Sequence, residues 1–292
     1  MKFLLLLLST LSILMADNGF ILVEDLNKQI TQTNLVLLDV GSNEDYTKGH
    51  IQNAQSTNIG KWRHKVKEYM LMNSANKLQS LMQSYGINDD SKVIIYEHNK
   101  KKGLLKSSYI ALAMARVGFT NVYILDGGIS EWSYNEYKLT QGISKVSQGN
   151  FHITSNDSLL VDIDYVKEKI GKVPMVEARS EKFYFGTLNS KGVERLGHIK
   201  GAMSNAWKNS FEEDGLLSEK TKLDEIFYAG LELKQDKEVI LYCTGGLEAS
   251  MNWYVLNRVM HFKNLKVYDA SLRQWGNLND TPMVKYKWEV FR

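Results

Sequence analysis

Four short blocks of this chain occur twice, in the same order. The first half reads "LVLLDVGSNEDY", "KGHIQNAQS", "KVIIYEHNKKKG" and "NVYILDGGISEW". The second half reads "VPMVEARSEKFY", "LGHIKGAMS", "EVILYCTGGLEAS" and "NLKVYDASLRQW". The separations match as well. His50 to Glu97 is 47 residues and His198 to Cys243 is 45, while Glu97 to Trp132 is 35 and Cys243 to Trp275 is 32. Ordered self-similarity of this kind is the mark of a repeated structural unit. The 292 residues therefore read as a tandem duplication, and that length holds two domains of ordinary size.

Each half reads as α/β. "LVLLDV", "KVIIYE" and "NVYILD" are short apolar runs rich in Val, Ile and Tyr, the pattern of strands buried on both faces. Between them, "SSYIALAMARVGF" sets Ile110, Met114 and Val117 on one face at helical spacing, and Gly118 is a stop signal. "ASMNWYVLNRVMHF" is its counterpart. Strand–helix–strand repeats predict a mainly parallel sheet with helices on both faces in each half. A cluster of Gly, Ser and Gln at about 137–152 predicts the linker, with domains at 17–140 and 153–292.

The chain has one cysteine, Cys243, placed where the strand "EVILY" ends and a helix follows. In open parallel sheets, sites form at that end of the strands. Gly245 and Gly246 let the turn curl its amides inward. Such a ring of N–H groups at a helix N-terminus stabilises an anion at its centre. A thiolate there is expected below the usual thiol pKa of about 8.5. A merely structural cysteine would fit better inside the strand than at its end. A lone cysteine also has no partner for an internal disulfide.

The duplicated pattern resembles the tandem-domain rhodanese family, the thiosulfate and 3-mercaptopyruvate sulfurtransferases. The residues that carry the resemblance are Asp39-Val40, "GHIQNA" at 49–54, "GHIKGA" at 197–202, "LDGG" at 125–128 with Trp132, "YDASLRQWG" at 268–276 and "CTGGLEAS" at 243–250. The resemblance implies two rhodanese-like domains, the first inactive and the second catalytic. It implies that Cys243 is the nucleophile within a six-residue loop of Thr244, Gly245, Gly246, Leu247 and Glu248 after it. It also implies a double displacement: Cys243 takes sulfur from a donor such as thiosulfate, and a cyanide or thiol acceptor removes it. No metal or organic cofactor is expected. In the first half the aligned position is Glu97, and a carboxylate cannot form a persulfide.

Departures from the family concern the donor. Arg179 follows "EA", but the position four residues on is Phe183, with Lys182 beside it. Lys191 or Arg195 stands for a second cation upstream of "GHI". Those four are the candidate substrate-binding residues, and lysine would supply a point charge in place of a planar fork. Mercaptopyruvate, whose carboxylate wants that fork, is the less favoured donor. Glu248 stands where a small hydroxyl residue is usual. Facing inward it would oppose a dianionic donor and raise the cysteine pKa. Facing outward, the reading preferred here, it is a solvated charge at a helix start. His50 and His198 read as structural, Asp269 and Trp275 as braces of the interface or core, and Ser250 as a helix-surface residue. Trp207 and Phe211 are read as residues that could line the cleft.

"FLLLLLSTLSILMA", behind Met1-Lys2 and ahead of "DNG", fits a secretory signal peptide over 1–16. The run is short for a membrane span, which needs about 20 residues. The expectation is therefore export, with a periplasmic protein cleaved near Ala16. With 36 Lys+Arg against 33 Asp+Glu the net charge is +3, which gives no footprint of a nucleic-acid binder. No stable membrane partner is expected. The partners expected are small sulfur donors and acceptors. The alternative is a persulfide carrier, with little small-molecule turnover, that receives its sulfur from a protein.

Overall fold

The computed structural model describes residues 18–98, 104–143, 145–154 and 157–291. The expected signal segment and most of the "HNKKKG" run lie outside the described residues.

The first half forms a five-stranded sheet from β1 (Phe20–Ile21), β2 (Leu35–Asp39), β3 (Gln55–Ser56), β4 (Lys92–Tyr96) and β5 (Val122–Leu125). Their order is β1-β5-β4-β2-β3 and every pairing is parallel. The second half repeats the last four positions with β6 (Met175–Glu177), β7 (Ala202–Ser204), β8 (Val239–Tyr242) and β9 (Leu265–Val267), in the order β7-β6-β8-β9. These are parallel too. Even β1 has an echo, because Leu160 makes a single parallel bridge to Val267.

The repeat extends to individual hydrogen bonds. The Ile51 amide donates to Tyr96 Oη at 3.1 Å, and the Ile199 amide donates to Tyr242 Oη at 3.0 Å. The "GHI" histidines are structural, as expected. His50 stacks on Tyr46 at 3.8 Å with Nδ1 bonded to the Tyr46 carbonyl, and His198 stacks on Tyr184 at 3.7 Å in the same way.

Strand residues alternate between two cores, the expected behaviour of a pleated strand. Leu37, Ile94 and Leu125 face the outer side of the first sheet. Met175, Ile240 and Tyr242 do so in the second. Their neighbours Val36, Leu38, Val93 and Ile95 join Val176, Val239, Leu241 and Val267 in one continuous core between the halves. Helices α1 (Leu105–Arg116) and α2 (Leu247–Tyr254) lie in that shared core. Ser107 to Met114 are all buried, so α1 is an interior helix and not a surface one. Ser108 and Ser250 meet across the helix pair, Oγ to Oγ, at 2.9 Å. Ser250 is fully buried there, contrary to the surface position expected of it. α2 is covered by the other half of the molecule, so its hydroxyl meets a partner instead of water.

The segment expected to be a linker is bound to the first half. Leu139–Thr140 pairs with His50–Ile51, and the amides of Gly149, Phe151 and Thr154 donate to carbonyls of Gln83, Ile87 and Val117.

Candidate active site

Two carboxylates stitch the halves together reciprocally. Asp126 follows β5 and accepts the Leu217 amide of the second half at 3.3 Å. Asp269 follows β9 and accepts the Met72 amide of the first half at 2.7 Å. Asp269 also accepts the Tyr109 hydroxyl at 2.9 Å. Asp269 is thus an interface brace, and Trp275 is a fully buried core residue. Phe211 lines a cavity of about 580 Å³ with Asn205 and Lys208, while Trp207 is buried beside it.

Cys243 follows β8 directly and is 1% exposed. Its sulfur turns into its own loop and accepts the Gly246 amide at 3.2 Å, with the amides of Ala249, Gly245 and Glu248 also directed at it. Gly246 has φ +90°, and a Cβ there would run into the Asp269 carboxylate. Only glycine fits that turn. The Cys243 amide donates to Ser271 Oγ at 3.1 Å, and that hydroxyl donates to the Tyr268 carbonyl at 2.6 Å. Ser271 holds φ +50°, an uncommon conformation for a residue with a side chain. Thr244 is tied down through its hydroxyl, which donates to Ser190 Oγ at 3.1 Å.

The resting thiol is not the low-pKa group expected. Burial pushes Cys243 up to about 12, and the Glu248 carboxylate adds to that, against the pull of the loop amides. A helix N-terminus and its amides favour the thiolate, but complete exclusion of water costs more than they return.

Glu248 does not point to solvent. Its half-buried carboxyl lies against the Cys243 thiol and faces Arg179 and Glu177. Burial lifts it to about 7, with Glu177 adding and Arg179 opposing.

The four candidate donor-binding cations divide. Arg179 is buried, and each of its guanidinium nitrogens has an acceptor inside the protein. It pairs with Glu177 through two nitrogens and also donates to Ser190 Oγ at 3.0 Å and the Gly197 carbonyl at 2.7 Å. Arg195 spans the carbonyls of Trp275, Gly276 and Thr281. Both act as braces, because every nitrogen of each guanidinium is already engaged by an acceptor of the protein itself. Lys182 and Lys191 are exposed. Two arginines not singled out in the sequence do reach the loop. Arg63, from the Arg63–Val66/Tyr69–Met72 hairpin of the first half, has Nη1 at 3.5 Å from the Gly245 carbonyl. Arg273 lies against Gly245, with Cδ at 3.5 Å from where a Cβ would stand.

The first half holds a second version of the loop. Glu97 follows β4 as Cys243 follows β8, and it is 3% exposed. One carboxyl oxygen accepts the amides of Lys106 and Ser107 at 2.8 and 2.9 Å. Aligned through Ser108 and Ser250, those residues match Glu248 and Ala249, whose amides face the sulfur. An anion acceptor therefore occupies the same cradle in each copy.

A cradle of converging amides, carried twice on parallel sheets and holding a sulfur in the second copy, defines a class. The model of the Rhodanese-like domain matches residues 22–135 and 162–278, and the chain belongs to that family, whose class is that of the sulfurtransferases. Among relatives, the "Sulfur carrier protein TtuD" of Thermus thermophilus is 27% identical over 254 residues, 82% of this chain and 87% of that protein. A Haloferax volcanii protein named "Putative thiosulfate sulfurtransferase" is 26% identical over 260 residues, 86% and 88% of the two chains. Among solved structures, YnjE superposes with TM-score 0.80 at 19% identity, over 93% of this chain and 69% of that one. Wild-type EanB does so with TM-score 0.78 at 20% identity, over 92% and 69%. The two structures share the fold with this chain.

Proposed function

We propose that this protein is an exported sulfurtransferase that moves sulfane sulfur from an anionic donor such as thiosulfate to a cyanide or thiol acceptor through a Cys243 persulfide. The observation that carries this reading is the sulfur of Cys243 at the end of β8, with the Gly246 amide at 3.2 Å and further loop amides directed at it. Relatives named for thiosulfate transfer and for sulfur carriage support it.

In the first half-reaction Cys243 loses its proton to the adjacent Glu248 carboxylate. The thiolate attacks the outer sulfur of the donor, the donor's sulfur–sulfur bond breaks, and sulfite leaves with the electron pair. The persulfide keeps its negative charge on the terminal sulfur, where the loop amides stabilise it. In the second half-reaction the acceptor attacks that sulfur, thiocyanate or a new persulfide departs, and the Cys243 thiolate recovers its proton from Glu248. The covalent intermediate splits one hard transfer into two. Export rests on the N-terminal sequence, and a mature protein that begins at Met1 in its own cells would refute cleavage.

The test is the intact mass after incubation with thiosulfate. A gain of about 32 Da, one sulfur, is expected in the wild type and absent in Cys243→Ser. Steady thiocyanate production with cyanide then separates an enzyme from a carrier that loads once and waits for a protein acceptor. No gain in mass from thiosulfate would sink the proposed donor.

A further inference from the structure

Two guanidinium groups stand at the sulfur loop without a salt bridge among the described residues, though the charge of Arg63 also acts on the buried Asp269 carboxylate. Arg63 comes from the first half and Arg273 from the second, and both meet Gly245, two residues beyond Cys243. The Nε of each is buried without a hydrogen-bond partner among the described residues. Among the described residues the one hydrogen bond of the Arg63 side chain is the long 3.5 Å contact to the Gly245 carbonyl, and its guanidinium lies 5.7 Å from the centre of the Tyr109 ring. Arg273 is anchored through its backbone, whose amide donates to the Thr244 carbonyl at 3.0 Å. Its side chain has no ion pair among the described residues. Every guanidinium nitrogen of Arg179 and Arg195, by contrast, already has an internal acceptor.

A buried guanidinium N–H without an acceptor is costly and uncommon. Two of them, from different domains, converge on the loop that carries the nucleophile. We propose that Arg63 and Arg273 form a two-domain clamp for the oxyanion end of the sulfur donor, a small sulfonate-like dianion such as thiosulfate, while the loop receives its outer sulfur. This rests on the sulfurtransferase reading above. It assigns donor recognition to residues outside the four cations singled out in the sequence, and it gives the first half a direct part in the site. The planar fork of arginine suits an oxyanion with several acceptor oxygens. The clamp also supplies the positive charge that a dianion needs beside the Glu248 carboxylate.

The experiment is steady-state kinetics and persulfide loading of Arg63→Gln, Arg273→Gln and the corresponding lysine variants in the full chain. Thiosulfate is compared with iodoacetamide, an uncharged reagent that alkylates the same thiol. With thiosulfate, each glutamine variant is expected to raise KM about ten- to a hundredfold, since a charge-assisted bond to an anion is lost. Its kcat should stay within about threefold. Lysine should recover part of the loss. Alkylation of Cys243 by iodoacetamide should be unchanged, which shows that the variant is folded and its cysteine intact. An unchanged thiosulfate KM in both glutamine variants would overturn the clamp and leave the sulfurtransferase reading standing. Equal losses with both reagents would overturn it too, because the arginines would then be supporting the loop. Failure of the wild type to load from thiosulfate would defeat the proposed donor itself.

Discussion

The two halves place the same cradle at the same point of the same sheet and put different groups in it. In the first, the Glu97 carboxyl accepts the amides of Lys106 and Ser107 at the start of α1. In the second, the Cys243 sulfur accepts the amides at the start of α2. The comparison shows what the cradle does when chemistry is taken away. It binds negative charge, and a carboxylate satisfies it without ever turning over. Sulfur in the same seat is a different matter, since it can be charged, loaded and unloaded. Both groups also feel the same penalty. Burial raises Glu97 to about 7 and Cys243 to about 12, so neither cradle holds a fully charged resident without cost.

The largest expected effect breaks the comparison outright. Cys243→Ser should reduce sulfur transfer by at least about a thousandfold, because no nucleophile of comparable reactivity remains in the second cradle. Glu97→Gln should leave transfer within about twofold, because the first cradle takes no part in chemistry. Thiocyanate production by the two variants, side by side, measures this. Appreciable loss in the Glu97 variant would mean that the first half's loop communicates with the second.

Stability reads the same pair from the other side. In the unfolded chain Glu97 titrates near 4.5, and in the folded protein near 7. Below both values it is protonated in either state. Between them only the folded protein keeps the proton, so stability falls as pH rises through that window. The full loss is about 3 kcal/mol, complete above roughly pH 7. Gln keeps a carbonyl oxygen for the two amides and has no charge to bury. Glu97→Gln should therefore be more stable than wild type at pH 8 by about that amount and nearly equal at pH 4. Denaturant midpoints at the two pH values check it, and a constant difference would show that Glu97 is not the titrating group.

Much of this contrast was legible from the sequence, and the misreadings have a common cause. The parallel α/β halves and the cysteine at a strand end follow from local pattern, and the repeat and the mismatch at Glu97 from comparing the two copies block by block. Glu248, the Cys243 pKa and Ser250 were misjudged because each depends on what covers α2. A first-turn glutamate is ordinarily wet, and a helix-start cysteine ordinarily acidic, but here the first half seals that end of the helix. Arg63 was invisible for the same reason, and Arg273, in the same half as Gly245, because the turn after β9 folds back onto the loop after β8. Arg63 lies 182 positions from Gly245, and only domain packing brings them together. Arg179 was different, since its occupier Glu177 sits two residues before it. A carboxylate that close on a strand end was a local signal for an internal ion pair.

A smaller effect sharpens the chemical half of the comparison. Glu248 has no acidic counterpart in the first half, where Lys106 holds its place. As the proton acceptor for Cys243 it must be ionised, so the rate of persulfide formation should rise with pH and level off above about 7. Glu248→Gln should lose that limb and slow the step about a hundredfold, the lower end for a general base. Single-turnover loading from thiosulfate across pH measures both. A faster Gln variant would mean that the carboxylate acts only by repelling the donor.

The smallest effect concerns a single side chain. Gly128 and Ser271 occupy matching positions with φ +60° and +50°. A Cβ on Gly128 would stand 2.6 Å from the Glu97 carbonyl, so the first copy needs glycine. In the second copy the serine accepts the strain and returns a hydroxyl to the Cys243 amide at 3.1 Å. Ser271→Gly removes that acceptor and also relieves the left-handed backbone. Each change is worth about 1 kcal/mol and they oppose one another, so stability should move by less than about 1 kcal/mol. Turnover should still fall a few fold, because the amide beside the nucleophile loses the bond that holds the loop in register. Thermal midpoints and kcat together test this. A clear rise in stability with unchanged kcat would show that the hydroxyl contributes nothing to the placement of sulfur.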